Sequence, residues 1–175
     1  MRELFRNNSG FYGWAALRYF LFEYEQHLRK QAVKQEGKID WNEFTTARRD
    51  YVTVEHIFPQ TPKLDEWKSF AALTSEQLRY LTNSLGNLLA LSQSRNSSFG
   101  RRAFDLKKQD AKGVTGYYNG SYSEIEVAQE PDWTPLAIRT RGLKMVEFLE
   151  NHWSISLGSQ SDKTRFLCLE FMGDQ

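Results

Sequence analysis

Two short β-prone runs inside an otherwise helix-patterned chain limit its fold more than any other feature. The first, Val52-Thr53-Val54-Glu55-His56-Ile57-Phe58, is β-branched and aromatic, and it stops at Pro59. The second, Leu88-Leu89-Ala90-Leu91, is apolar and bounded by turn residues. Asn96 or Ser97 then caps a helix carrying Phe99, Ala103, Phe104 and Leu106, which should end near Gly113. The order strand, strand, helix predicts an α+β domain, with a small ββα core embedded in a mainly helical frame.

The frame is read from periodicity. Trp14, Leu17, Leu21, Tyr24 and Leu28 recur at alternating steps of three and four, with Asn7, Asn8 and Ser9 as caps and a stop expected near Gly37. That stripe is core, and His27 beside it reads as surface or structural. Trp41 and Phe44 are expected to pack inward from an irregular stretch. Thr61-Pro62 offers the start of a short helix through Trp67 and Phe70. Thr74-Ser75-Glu76-Gln77 has capping-box form and predicts another helix, over Leu78 and Leu81, that ends by Gly86. Residues 113–131 read as loop with room for one short element. Thr134-Pro135 opens a second long helix, with Leu136, Leu143, Val146, Leu149 and Trp153 on one face. One domain is expected over residues 1–157, followed by a tail over 158–175 that reads as an edge strand or a partner contact through Phe166 to Met172.

Composition narrows the chemistry. Of 175 residues, 40% are hydrophobic and 26% charged, the profile of a globular chain, and no apolar run approaches a membrane span. No signal-peptide pattern is read, so the cytoplasm is the expected location. The single cysteine, Cys168, excludes an internal disulfide and a multi-thiolate zinc site, which leaves oxygen donors for any metal. A net charge of +1 gives no global basic field, so a nucleic-acid argument rests on local clusters. These are Arg48-Arg49 before the first run, and Arg95, Arg101, Arg102, Lys107 and Lys108 after the second.

Glu55 and His56 are the chemical core of the reading. Neighbours on a strand point to opposite faces, so the two share a pocket only if the strand bulges or bends, which Pro59 makes plausible. The carboxylate suits Mg²⁺ or Mn²⁺, and a neutral imidazole can take a proton from water. Asn96 could add a side-chain carbonyl as a second ligand, while Asn87 could orient the histidine or fix the turn. Each residue also has a plainer reading, as a structural pair, a turn or a helix cap.

The string Val-Glu-His-Ile-Phe-Pro-Gln, then Leu-Gly-Asn-Leu-Leu-Ala-Leu, then Arg-Asn-Ser-Ser-Phe with Phe104 and Lys107, resembles the C-terminal nuclease domain of GmrSD-type modification-dependent restriction enzymes. That family belongs to the HNH nucleases of the ββα-metal type. Weaker likeness extends outward over roughly Phe11 to Trp153. The resemblance implies that His56 is the general base, that Glu55 and Asn96 are ligands of one divalent cation, Mg²⁺ or Mn²⁺, and that Asn87 holds the ββα loop in register. Arg95, Arg101, Arg102, Lys107 and Lys108 would then face phosphates.

On that footing the expected function is a metal-dependent DNA endonuclease or nickase, acting on foreign or base-modified DNA in restriction or phage defence. An N-terminal NTPase domain or subunit accompanies such nucleases. No Walker-type glycine loop occurs here, so the chain is expected to be a fragment or a stand-alone effector. The rival reading is a non-catalytic nucleic-acid or protein-binding module that kept the fold. A metal-dependent RNase would use the same chemistry. Cutting both strands would need two protomers or two visits, and the Phe166–Met172 segment is a candidate homodimer interface.

Overall fold

The computed structural model describes residues 3, 5, 9–42 and 52–173. Arg48, Arg49, Phe44, Asn7 and Asn8, to which the sequence assigns a basic cluster, an inward anchor and two caps, lie outside the described residues.

At the centre is a two-stranded antiparallel sheet, β1 (Val52–His56) against β2 (Leu88–Ser92), paired from Val52↔Ser92 to His56↔Leu88. Leu88, Leu89, Ala90 and Leu91 are all buried, so β2 is covered on both faces, as a continuous apolar run requires. Helices provide the cover. In chain order they are α1 (Leu17–Gln31), α2 (Ser75–Thr82), α3 (Gln93–Phe99), α4 (Phe104–Lys108), α5 (Tyr122–Ala128), α6 (Pro135–Trp153) and α7 (Gln160–Phe166). The strands and α3 form the expected ββα unit, and the fold class is α+β.

The helix starts follow local chemistry. Thr74 accepts from Gln77 N while the Gln77 side chain accepts from Thr74 N, and Ser121 and Glu124 repeat this capping box at α5. Thr134 caps α6, with Pro135 in its first turn. The long helices are then fastened from within. Glu25 of α1 accepts from Tyr122 N and Ser123 N, each at 2.8 Å, and from Ser123 Oγ at 2.7 Å, so a buried carboxylate sits on the start of α5. Arg141 of α6 donates to the carbonyls of Gly86 and Leu88 at 2.7 and 3.0 Å, holding the turn that leads into β2. At Gly86 the backbones touch: a Cβ there would lie 2.0 Å from the carbonyl oxygen of Ile138.

Several expectations are corrected. α1 begins at Leu17, after a 3-10 turn over Gly10–Gly13, and stops at Gln31 rather than near Gly37. The segment after Thr61-Pro62 forms only a 3-10 turn, Lys68–Phe70, because Trp67 and Phe70 are drawn onto Phe58, which stacks on Phe70 at 3.9 Å. Asn96 is not a cap. It lies inside α3, which starts at Gln93 and ends at Gly100 (φ +45°), and α4 is a separate helix. On α6 Val146 and Leu149 are buried as expected, together with Ile138, Arg141, Met145 and Phe148, but Leu136 and Trp153 are exposed. Trp41 is also partly exposed, against Tyr19 and Phe22. Over its described residues the C-terminal segment is helical rather than an edge strand: Ser159 caps α7, and Leu167 and Leu169 are fully buried against the core, while Phe171 is exposed. Among the described residues no helix is long and apolar enough to cross a membrane.

Candidate active site

β1 ends at His56, and the pairing runs to its last residue without a bulge. The chain bends immediately afterwards, through Ile57 and Phe58 to Pro59. That bend lets neighbouring residues of opposite strand faces line one cleft of about 340 Å³, which Glu55 and His56 share with Asn96, Arg101 and the Pro59–Thr61 turn. A larger cleft of about 720 Å³ lies between α6 and α7, but its lining holds no histidine beside a carboxylate.

Glu55 is 3% exposed. Its Oε1 accepts from Lys107 Nζ at 2.6 Å and from Tyr117 Oη at 3.3 Å. Burial leaves the carboxyl above its ordinary value, with the Lys107 ammonium and the two hydrogen bonds opposing that rise only in part. The short charge-assisted contact is the geometry of an ionised pair.

His56 is likewise buried, against the Tyr12 ring at 4.6 Å and with Nε2 at 3.4 Å from Asn83 Oδ1. Burial holds its pKa down to about 4, the Asn83 contact opposing and the Lys107 charge assisting. The ring is therefore neutral at neutral pH, as a base must be. Neither Tyr12 nor Asn83 was marked by the sequence, since both meet His56 only through the tertiary fold.

Asn96 projects from α3 toward β1 and donates its amide to Thr53 Oγ1 at 2.8 Å and to the Val54 carbonyl at 3.2 Å. A carbonyl can only accept, so the NH₂ group faces the strand, which leaves Oδ1 as the acceptor of a side chain that lines the cleft. Asn87 has a different role. Its Oδ1 accepts from Phe58 N at 2.8 Å and Trp133 Nε1 at 3.0 Å, and its Nδ2 donates to the Phe58 and Thr82 carbonyls, each at 2.9 Å. Fully buried, it clamps the bend after His56 and does not line the cleft.

The basic residues divide. Arg101 lines the cleft and is exposed, and Arg102 is exposed beside it. Arg95 is committed elsewhere, paired through both Nη atoms with Glu124 and bound to the Thr115 carbonyl. Lys107 and Lys108, expected on a phosphate-facing surface, are both buried. Lys107 reaches Glu55, and Lys108 donates to the Glu130 carbonyl at 3.0 Å. The break at Gly100 explains this, because α4 restarts with Phe104 inward and turns the residues three and four places later to the same side.

Glu55 and Asn96 offer a carboxylate and an amide carbonyl, the hard oxygen donors that a small divalent cation takes. Among the described residues no group of three or more His, Cys, Asp and Glu gathers as a ready metal cage. A cation here would draw its remaining ligands from water and substrate.

The family model for GmrSD restriction endonucleases, C-terminal domain, matches residues 1–148. The chain belongs to that family. The match spans the ββα unit, every residue of the cleft, and most of α6. This GmrSD C-terminal domain is thus built on a buried two-stranded sheet, and the end of α6 and the whole of α7 lie beyond the matched residues. No curated protein and no solved structure matches the chain.

Proposed function

We propose that this GmrSD C-terminal domain is an HNH-type, divalent-metal-dependent DNA endonuclease or nickase. The observation that carries the reading is convergence: a carboxylate and a neutral imidazole at the end of β1, an amide from α3 and an exposed guanidinium from the turn after α3 line one cleft. Glu55 and Asn96 would hold the cation, Mg²⁺ or Mn²⁺. Bound there, it would offset charge developing on the phosphate and on the leaving oxygen.

His56 takes a proton from the attacking water as the new phosphorus–oxygen bond forms and the bond to the leaving oxygen breaks. Tyr12 and Asn83 hold the ring in place, and Asn87 fixes the bend that carries it. Arg101 contacts the phosphodiester, and Arg102 extends the contact along the backbone. The substrate is foreign or base-modified DNA, and a nucleotide-hydrolysing domain or subunit is the expected companion.

Supercoiled plasmid incubated with Mg²⁺ or Mn²⁺ should pass to nicked or linear forms. EDTA and His56→Ala should each abolish the conversion, while His56→Ala retains DNA binding. Binding without cleavage on plain and modified DNA would instead identify a non-catalytic module, and cleavage confined to RNA would identify an RNase. Arg101→Ala should weaken duplex binding and reduce the slope of log affinity against log salt by about one.

A further inference from the structure

Lys107 is the most deeply buried charge beside the cleft, at 0% exposure. Its ammonium meets Glu55 Oε1 at 2.6 Å, the Ile57 carbonyl at 3.0 Å and the His56 carbonyl at 3.2 Å, an acceptor for each of its three donors. It therefore grips, from behind, both the carboxylate and the backbone on which the histidine stands. Phe104, one turn earlier on α4, is buried with it, packs on Trp133 and fixes the helix that delivers the lysine.

This arrangement has a cost for any cation. The charge of Glu55 is already matched by an ammonium, and the other charged group lining the cleft, Arg101, is positive. A divalent ion entering alone would join two positive charges with no net negative charge to receive it. A phosphodiester supplies the missing charge.

Resting on the metal-dependent reading above, we propose that Lys107 is a positioning residue that makes cation and phosphate binding interdependent: each is weak alone and each strengthens the other. By linkage the strengthening must be equal in both directions. The site is preorganised before the cation arrives, because the ammonium already holds Glu55, yet it keeps the cation only while a phosphodiester is present.

The test measures binding, not turnover. Mn²⁺ alone, titrated by electron paramagnetic resonance, should bind the wild type weakly, and Lys107→Met should bind it at least about tenfold more tightly. In a His56→Ala background that leaves DNA intact, Mn²⁺ should tighten binding of a fluorescent duplex by about tenfold at constant ionic strength, and Glu55→Gln should remove that gain. Adding Lys107→Met should shrink the gain while Mn²⁺ binding without DNA tightens, a combination that misplacing Glu55 through lost packing would not produce. Should Lys107→Met fail to fold, the duplex measurement with Lys107 intact decides. Tight Mn²⁺ binding by the wild type without DNA, or duplex affinity indifferent to Mn²⁺, overturns the proposal alone. No Mn²⁺ binding with or without DNA overturns the metal-dependent reading with it.

Discussion

On the proposed reading the two asparagines of the unit divide holding from ligating, and substitution should part them. Asn87→Ala strands Phe58 N, the Trp133 indole N–H and two carbonyls in a dry interior, so it should cost on the order of 3 kcal/mol or more in urea unfolding. Asn96→Ala, half-buried and bonded to a strand near the surface, should cost about 1 kcal/mol, yet abolish metal-dependent cleavage. Equal losses of stability would contradict these different roles. That Glu55, His56 and Asn96 could share a cleft, as they do, was legible in the sequence because such side chains are rare within two short β-prone runs and a polar helix. Lys107 was misread, since a lysine in a basic cluster ordinarily lies in solvent. A signal existed: it follows the aromatic Phe104 by three, the spacing that puts two side chains on one face of a helix.

At the scale of elements, the sheet owes its position to the contact between α6 and the Leu85–Asn87 turn. Gly86→Ala places a methyl group against the Ile138 carbonyl and the backbone of Gly142, neither of which is a flexible side chain. It should lower stability by about 2–3 kcal/mol in thermal or urea unfolding. Cleavage should fall with it, because Asn87 and β2 come directly after. The capping box at Thr74 was legible because it is a pattern of neighbouring residues; the same pattern at Ser121 sat in a stretch whose Gly, Ser and Tyr content reads as loop. The end of α3 was not legible, as a lone Gly100 between Phe99 and Arg101 reads equally as helix or break.

For the whole molecule, Glu126 is the junction of three helices: it meets Tyr24 of α1 and both Arg141 and Lys144 of α6. Burial pushes its carboxyl up, but the Arg141 charge and the Lys144 and Tyr24 hydrogen bonds outweigh that and leave it below its ordinary value of 4.5. The unfolded chain therefore binds this proton more readily than the folded one. Its stabilisation is complete above the unfolded value and is lost as pH falls through the folded one. Thermal unfolding between roughly pH 6 and roughly pH 3 should show stability falling with acid, and Glu126→Gln should flatten the fall. An unchanged profile in that variant would mean that other carboxylates carry the acid sensitivity. By itself the sequence determined the strand-strand-helix order, the long helices and which chemically capable side chains, Glu55, His56 and Asn96, are candidates, because periodicity, caps and side-chain types are local properties. Only the tertiary structure decided which cations face the cleft and which are buried behind it, and that Leu167 and Leu169 of the last segment join the core. Those outcomes depend on how helices turn against a shared interior, and burial is a property of the whole packed chain.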